Sequence, residues 1–548
     1  MQLHPTQATF HVALAGAAVV AIGVAGRSAG VVAFGGAMVL AVAIGRAVAL
    51  ATVTRLRAAG FEMVWDAPKR VARTARGGTV ALHAELRNRG VNDARGVNLR
   101  AVASSMLDVS VVPAVVDLPA GAKVRIDVTV RAMRVGRWGV HGMALEVRGT
   151  PAGGEGLYEV PLMFANPYGI EVLPYALHAL ILSPRGGRSR RAPSAGRPSQ
   201  VAGEGDELRE LREHVPGDAF KRIAWKASAR RQKLIVREME RDERDVVWLV
   251  LDASVELWAG AVGRAPLDAG VDEMAALATR HLARGDQVGL IVTASRLRTW
   301  IAPGGGGAQA MRIAAALASA ASMVDSDRCD LDEHEVAQRV AEHARPLDAR
   351  GLVDVPKGNL DMLAARAETL RGRAPFAPRM PYARAAREQR LRHYLASFGI
   401  EVPPRVDGER EKTDQAMAAA LEKLCADKAR PSIVHVWGPP PGKSSPIGKS
   451  LRRLKARHAE VRWTVPAFDQ SVGASDVAPD ALASVRDVVE DAVRLRARVS
   501  RGRADRLLRK LGVKPQAVLR RLALPTPAPT ASPDAPPESR EAASRREP

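Results

Sequence analysis

The sequence predicts a membrane-anchored multidomain protein, in which a two-helix transmembrane hairpin is followed by a β-sandwich and then by a doubly wound α/β domain. Three observations lead to this prediction. The chain begins with two long apolar segments, continues with residues that alternate between apolar and polar, and ends with apolar strands that alternate with helices. Its 548 residues give room for two or three domains of ordinary size.

Residues 1–55 are expected to form the hairpin. The segment 10–26 has no charged residue and is followed by Arg27, and the segment 29–53 has only one charged residue, Arg46. A helix needs about 20 apolar residues to cross a bilayer, so the second segment is long enough and the first is just short. Glycines within both segments would let the helices approach closely in lipid, with the turn at Arg27 and Ser28.

Other interpretations of the apolar segments are weaker. Residues 1–7 contain no Lys or Arg, which disfavours a secretory signal, and the absence of a charged face disfavours an interfacial helix. A buried core hairpin of a soluble protein remains an alternative. Cations concentrate on the cytoplasmic side of a membrane, and the second segment is followed by Arg55, Arg57, Lys69 and Arg70. We therefore expect the rest of the chain to be cytoplasmic.

Residues 65–175 are expected to form the β-sandwich. Apolar side chains recur at every second position in 80–86 and 124–130, as in strands with one buried and one solvated face. Glycine-containing turn sequences separate these strands. The region has no cluster of catalytic residue types, so we expect a spacer or an interaction module. Residues 183–205 are rich in Pro, Gly, Ser and Arg and are predicted to be an exposed basic linker.

Residues 244–524 are expected to form the α/β domain. The run 246–251 is entirely apolar, as in a strand buried on both faces of a parallel sheet. The charged, proline-interrupted insertion at about 325–410 has no predicted structure, and the tail 525–548 is predicted to be disordered. The other predicted elements are strands at 288–292, 432–437 and 461–465, helices at 271–283, 308–323 and 415–426, and a long basic helix at about 481–499.

The chain is strongly basic, with 81 Lys and Arg against 59 Asp and Glu and a net charge of +22. Such a charge suggests an anionic partner, which could be nucleic acid, a membrane surface or an acidic protein. Aromatic residues make up only 4%, and no nucleic-acid recognition motif is present, so specific nucleic-acid binding is disfavoured. The cations are spread along the chain, which favours an anionic lipid leaflet as their partner. Cys329 and Cys425 allow neither a disulfide framework nor a zinc finger.

Residues 206–243 contain a dense run of charged residues around a tryptophan. It includes Arg212, Gly217, Asp218, Arg222, Ile223, Trp225, Ser228, Ala229 and Arg230. At these positions the run resembles the signature of the domain-of-unknown-function 58 family, bacterial proteins related to the von Willebrand factor A fold. His214 stands where that family usually has Tyr. The order of hairpin, sandwich, signature and α/β domain also resembles this family.

Two interpretations of the signature remain open. Isolated buried charges are costly, so the charged residues around Trp225 could form a hydrogen-bonded ion network that clamps the segment onto the sheet. The alternative is a surface that binds a partner.

The resemblance implies a function. Members of the resembled family often accompany MoxR-type AAA+ ATPases and are thought to act with them in assembling or maturing envelope components. We therefore expect a non-enzymatic interaction or scaffold protein, tethered to the bacterial inner membrane, with no cofactor and no small-molecule substrate. The alternatives are a divalent-metal-dependent enzyme and a basic nucleic-acid-binding protein.

The resembled von Willebrand factor A fold can hold Mg²⁺ at the carboxyl end of its first strand, through Asp-x-Ser-x-Ser, a Thr and a later Asp. Asp252 and Ser254 match this pattern, but Glu256 replaces the second Ser. Thr413 falls where the family has its Thr, and no Asp follows the strand 432–437. We expect a degenerate metal-ion-dependent adhesion site in which Asp252 caps the following loop, with Mg²⁺ binding as the alternative.

The segment 438–444, Gly-Pro-Pro-Pro-Gly-Lys-Ser, is similar to a phosphate-binding loop but has one residue too few between its glycines. Its three prolines lack the backbone N–H groups that would surround a phosphate. The sequence therefore predicts a proline-stiffened loop and not a nucleotide site.

Overall fold

The computed structural model describes most of the chain. Residues 481–498 of the predicted basic helix, 183–196 of the predicted linker and the whole predicted tail 525–548 lie outside the described residues. The described residues are 4–5, 7–59, 61–66, 69–90, 94–147, 158–182, 197–243, 245–260, 262–344, 359–427, 430–442, 445–466, 499 and 501–516.

The two N-terminal helices are α1 (Gln7–Ala25) and α2 (Ala29–Ala59). They pack against each other, and a Cβ added at Gly23 or Gly35 would lie 2.7 Å from a backbone nitrogen of the other helix. Each is long and apolar enough to cross a membrane, and their apolar side chains, such as Phe10 (63% exposed) and Phe34 (64%), point outward. The alternative of a core hairpin is therefore wrong, because a core helix would bury these side chains.

The described residues before position 174 also contain ten strands, one before the helices and nine after them, which form two sheets. The first sheet has the order β2-β4-β8-β6 and is antiparallel. The second has the order β1-β10-β9-β5-β7, with β3 parallel to β10. The strands are β1 (His4–Pro5), β2 (Phe61–Trp65), β3 (Val71–Ala75), β4 (Thr79–Asn88), β5 (Ala94–Ala103), β6 (Leu107–Val112), β7 (Val115–Leu118), β8 (Lys123–Ala132), β9 (Gly136–Val147) and β10 (Tyr158–Leu173).

Burial on these strands follows the predicted alternation. Leu82 and Leu86 of β4 and Ile126 and Val128 of β8 are buried, while the residues between them are more exposed. Buried residues of both sheets join one hydrophobic cluster with the helices that pack on the later α/β sheet. The helix α3 (Tyr175–Leu182) follows the last strand.

A long two-stranded ribbon carries the signature. Strand β11 (Arg197–Glu213) pairs antiparallel with β12 (Ile235–Glu243), and the short helix α4 (Trp225–Arg231) lies between them in sequence. Residues 197–205 of the predicted linker form the first half of β11 and so belong to a paired strand. Their composition carries no strand signal, and the hydrogen-bonding partner that makes them a strand is β12, more than 30 residues later.

The α/β domain contains a six-stranded sheet of order β15-β14-β13-β16-β17-β18. Adjacent strands are parallel except for the antiparallel edge strand β15. The strands are β13 (Val246–Asp252), β14 (Gln287–Thr293), β15 (Leu297–Gly304), β16 (Ile433–Trp437), β17 (Glu460–Thr464) and β18 (Lys514–Gln516). The helices around it are α5 (Pro266–Ala283), α6 (Gly306–Ala320), α10 (Arg410–Ala426) and α11 (Ile447–Ala456).

The direction in which successive strands are added to the sheet reverses between β13 and β16, which makes this a topological switch point. From β13 the chain moves outward through β14 and β15, whereas from β16 it moves the opposite way through β17 and β18. Open α/β sheets form their ligand sites in the crevice at the carboxyl ends of such diverging strands. Asp252, the last residue of β13, lies at this crevice.

The insertion that the sequence left unassigned contains three helices, α7 (Glu333–Ala344), α8 (Leu360–Leu370) and α9 (Ala386–Phe398). They form a hydrophobic core of their own, which includes Val340, Leu363 and Leu391. The insertion also contacts the β9 side of the second sheet, since Ser104 Oγ donates to the Gly399 carbonyl (2.9 Å).

A buried histidine pair joins the insertion to β9 and predicts acid sensitivity. His141 Nδ1 is 3.2 Å from His343 Nε2, and His343 Nδ1 is 2.9 Å from the Tyr394 hydroxyl. Burial lowers the pKa of His141 to about 4, and burial together with the neighbouring His141 lowers the pKa of His343. Unfolded histidines have a pKa of about 6.5, so the unfolded state takes up these protons first.

We therefore expect the free energy of unfolding to decrease as the pH falls from about 6.5 toward 4, and to be insensitive to these groups above that range. Denaturant unfolding at several pH values measures the slope of the free energy of unfolding against pH. His141→Gln should reduce the slope, while His334→Gln, on the exposed face of α7, should not. An unchanged slope in His141→Gln would contradict this assignment.

Candidate functional site

The carboxyl end of β13 carries the first candidate site. The Asp252 side chain is fully buried, and its Oδ1 accepts a hydrogen bond from the Ser254 backbone N–H (2.9 Å). The loop cap predicted for Asp252 is therefore present. Gly438, at the end of β16, lies directly beside it, and a Cβ at Gly438 would be 2.8 Å from the Asp252 Cβ. Glycine at this position lets the proline-rich loop pass over the aspartate.

An arginine that the sequence analysis did not single out neutralises this aspartate. Arg410, the first residue of α10, donates from Nη1 to Asp252 Oδ2 (2.9 Å). Its Nη2 lies 2.7 Å from Asp414 Oδ1, and its Nη1 lies 4.0 Å from Glu256 Oε2. One guanidinium thus lies among three carboxylates.

The protonation behaviour of the cluster follows from this placement. Burial alone would lower the pKa of Arg410, but Asp252, Asp414 and Glu256 together raise it. Burial, followed by the charges of Asp252 and Asp414, raises the pKa of Glu256 despite the attraction of Arg410. The guanidinium therefore stays charged, and the cluster's cation belongs to the chain itself.

The two hydroxyls predicted as metal ligands lie nearby without joining the carboxylates. Ser254 and Thr413 line one small cavity of about 10 Å³, and Thr413 Oγ1 donates to the Glu409 carbonyl of its own helix (3.2 Å). Ser254 Oγ is buried and has no hydrogen-bond partner among the described residues.

The residues present do not fit Mg²⁺. In the described part of the chain no group of three His, Cys, Asp or Glu side chains is arranged to hold a metal ion. The guanidinium of Arg410 already occupies the carboxylate of Asp252, and its positive charge would repel a divalent cation bound to the same oxygens. Arg410 was missed in the sequence because the predicted helix began at 415, whereas in the structure α10 begins at Arg410.

The signature forms the second candidate site, on the β11–β12 ribbon. Arg212 pairs with Asp218 through two hydrogen bonds, Nη1 to Oδ2 (2.8 Å) and Nη2 to Oδ1 (2.5 Å). Asp218 Oδ2 also accepts from the Val215 backbone N–H, and these contacts lower the pKa of Asp218 to about 2. Gly217 completes the turn with φ +109°, a backbone conformation that favours glycine.

The helix α4 is attached to β12 by a serine. Ser228 Oγ accepts a hydrogen bond from the Ile235 backbone N–H (2.9 Å), and the Ile223 side chain is buried beneath the turn. The ion network and the anchored helix agree with the predicted structural role for part of the signature. Trp225 is not part of this network, because its side chain is 61% exposed.

Trp225 instead belongs to an exposed apolar group. Phe220, five residues earlier in the chain, is 75% exposed. We call the following residues the signature surface: Leu211, Val215, Phe220, Trp225 and Leu234, all of which are more than 40% exposed. Cations lie between these residues in the sequence: Lys221, Lys226, Arg230, Arg231 and Lys233 are all exposed, and Arg222 is half-buried. Exposed apolar groups of this kind mark interaction sites.

The signature has a counterpart among known families. Residues 210–355 match the model described as "Protein of unknown function DUF58". The predicted resemblance to this family is confirmed over these residues. The DUF58 match includes the whole signature from Arg212 to Arg230, Asp252 and Ser254, and ends within the insertion. Arg410 lies beyond it.

Comparison with other proteins adds no functional information. No curated protein matches the chain. A secreted serine protease, VesC, from Vibrio cholerae is 14% identical over 24% of this chain and 27% of its own, with a TM-score of 0.15. Elastase-activated alpha-2-macroglobulin from Escherichia coli is 12% identical over 79% of this chain and 31% of its own, also with a TM-score of 0.15. The chain thus spans about a third of their length or less, and such low TM-scores carry no argument about fold.

Proposed function

We propose that the protein is a non-enzymatic, inner-membrane-tethered interaction protein that docks a MoxR-type AAA+ ATPase through its signature surface. The observation that carries the proposal is the exposure of Phe220 and Trp225 on a segment whose backbone is held in place by Arg212, Asp218 and Ser228. The choice of ATPase, and the role in assembling or maturing envelope components, come from the resemblance to the DUF58 family.

The architecture supports this proposal. The two apolar helices would hold the chain at the membrane, and the cations that follow the second helix favour a cytoplasmic location for the sheets. The sheet order, with its antiparallel edge strand, agrees with a von Willebrand factor A-like domain, and the two earlier sheets agree with a β-sandwich that acts as a spacer.

The mode of recognition differs from metal-mediated binding. A metal-ion-dependent adhesion site attracts a partner carboxylate with its metal, whereas Arg410 is already neutralised by Asp252 and Asp414. Partner binding is therefore assigned to aromatic side chains surrounded by cations. Exposed Trp and Arg residues are frequent centres of binding energy in protein interfaces.

Truncation of the signature surface is the test. Phe220→Ala and Trp225→Ala should each weaken binding of the purified MoxR-type ATPase by about 30-fold or more, as expected for central interface residues. Both side chains are exposed, so neither change should destabilise the fold. Binding is measured by biolayer interferometry, with the full chain in nanodiscs and the ATPase in solution.

The matched control is Tyr175→Ala, another exposed aromatic (56%) outside the signature. It should bind as the wild type does. Equal binding by Trp225→Ala and Phe220→Ala would remove the signature surface from the proposal. Failure of the wild-type chain to bind the ATPase would instead remove the ATPase as its partner.

A further inference from the structure

A large cavity in the described part of the chain lies away from both candidate sites. Its volume is about 710 Å³, within the range of about 300–1,000 Å³ found for small-molecule pockets. Three parts of the chain meet there: the start of β9, the pair β15 and α6, and the insertion at 377–381 and 399–402. Small-molecule sites occur preferentially where domains meet.

The walls combine apolar side chains with an excess of cations. Trp138, Trp258, Met380, Ile400 and Val402 contribute apolar surface. The charged residues lining the cavity are Arg137, Arg296, Arg298, Arg312, Arg379, Asp325 and Glu401.

Both carboxylates already have partners: Asp325 is neutralised by arginines, whereas Glu401 is held by neutral hydrogen-bond donors. Asp325 forms ion pairs with Arg298 and Arg296, and its Oδ1 accepts from the Tyr382 backbone N–H (2.7 Å). Burial raises the pKa of Asp325, but the arginines and this hydrogen bond outweigh burial and lower it. Glu401 accepts hydrogen bonds from the backbone and the hydroxyl of Ser105, at 3.0 Å and 2.8 Å.

Two of the arginines in the lining have no carboxylate partner among the described residues. Arg312 on α6 and Arg379 in the insertion are exposed, and no carboxylate of the described residues lies within ion-pair distance of either. Arg137, by contrast, is paired with Glu171 (3.1 Å). Among the described lining residues without an ion pair, Arg312 and Arg379 outweigh the single carboxylate of Glu401. The field in the cavity is therefore positive, and low-dielectric walls concentrate such a field.

We propose that this cavity binds a small organic anion, with its carboxylate or phosphate held by Arg312 and Arg379 and its apolar part against the tryptophan-lined wall. Arginine is suited to both headgroups because its planar fork donates two parallel hydrogen bonds. The site is independent of the ATPase docking proposed above, since it shares no residue with the signature surface.

The test uses naphthalene-1-carboxylate as the probe and its neutral amide as the matched comparison. Equilibrium dialysis is performed with the full chain in phosphatidylcholine nanodiscs, and binding to empty nanodiscs is subtracted. We expect saturable binding of the carboxylate, at least tenfold tighter than that of the amide. Naphthyl phosphate, run in parallel, shows which of the two headgroups the arginines prefer.

Arg312→Ala and Arg379→Ala should each weaken carboxylate binding about tenfold and leave the weak binding of the amide unchanged. Arg280→Ala and Arg384→Ala, which remove exposed arginines outside the cavity, should have no effect. Equal binding of carboxylate and amide by the wild type, or undiminished carboxylate binding by both cavity variants, would overturn the proposal.

Discussion

Replacing Arg410 with methionine is expected to lower the free energy of unfolding by about 3–5 kcal/mol, the usual cost of removing one partner from a buried ion pair. Asp252 is fully buried, and Arg410 is its cation (2.9 Å). Without the guanidinium, Asp252 and Asp414 remain close together with no compensating charge. Denaturant unfolding of the full chain in nanodiscs, followed by fluorescence of the buried Trp248 and Trp437, measures the change.

Two further variants make this result specific. Asp252→Asn combined with Arg410→Met should recover most of the lost stability, because asparagine keeps the oxygen that caps Ser254 and carries no charge. Arg405→Met is the matched control, since Arg405 pairs with Asp330 and Glu409 at the surface and should cost less than about 1 kcal/mol. If Arg410→Met were no more destabilising than Arg405→Met, the cluster would not depend on its arginine.

Replacing Arg134 with methionine is expected to have an effect of similar size, about 3–5 kcal/mol. Arg134 and Asp268 are both almost fully buried, and the guanidinium donates two hydrogen bonds of 2.9 Å to the carboxylate. Asp268 also accepts from the Ala265 backbone N–H at the start of α5, while Arg134 stacks 3.9 Å from the ring centroid of Trp258. The pair joins the β8–β9 turn to the α/β domain.

Arg134→Lys should also be strongly destabilising, because an ammonium cannot form the two parallel hydrogen bonds. Arg73→Met is the control: Arg73 is largely exposed, and its partner Glu171 keeps a second arginine, Arg137. Thermal unfolding of the three variants would show the difference. A melting temperature for Arg134→Met equal to that of Arg73→Met would contradict the importance of this contact.

Local patterns were sufficient to predict much of the fold. The helices end at Ala25 and restart at Ala29, on either side of the predicted turn at Arg27 and Ser28. The period-two pattern placed Leu82 and Ile126 on buried faces, and the apolar run 246–251 lies within β13. Each of these features depends on residues close together in the sequence.

The insertion shows why other elements were missed. Arg392 and Glu388 lie in its helix α9, and their charges gave the segment the composition of an exposed region. In the structure Arg392 is fully buried, paired with Glu388 and hydrogen-bonded to the carbonyls of Val324 and Leu331. A helix that buries an ion pair has charged residues on its core-facing side, so its sequence lacks the apolar periodicity from which helices are predicted.

The candidate sites were only partly predictable, because they bring together residues that are far apart in the sequence. Asp252 and its loop cap follow from a local motif, but its cation is 158 residues away and becomes adjacent only through the order of the sheet. The exposure of Trp225 also required the structure, because a tryptophan among charged residues is compatible with either a network or a surface. The arginine-lined cavity joins three distant segments and has no local signal at all.

The cation beside Asp252, at the end of β13, is a side chain of the same polypeptide, which affects how this edge of the sheet responds to ions in solution. Occupancy of a metal site follows the free concentration of the ion, so chelation or ion influx can empty or fill it. Arg410 is part of the polypeptide, and no dilution can remove it from Asp252. The start of α10 is therefore joined to the end of β13 by a contact that forms without any free divalent ion.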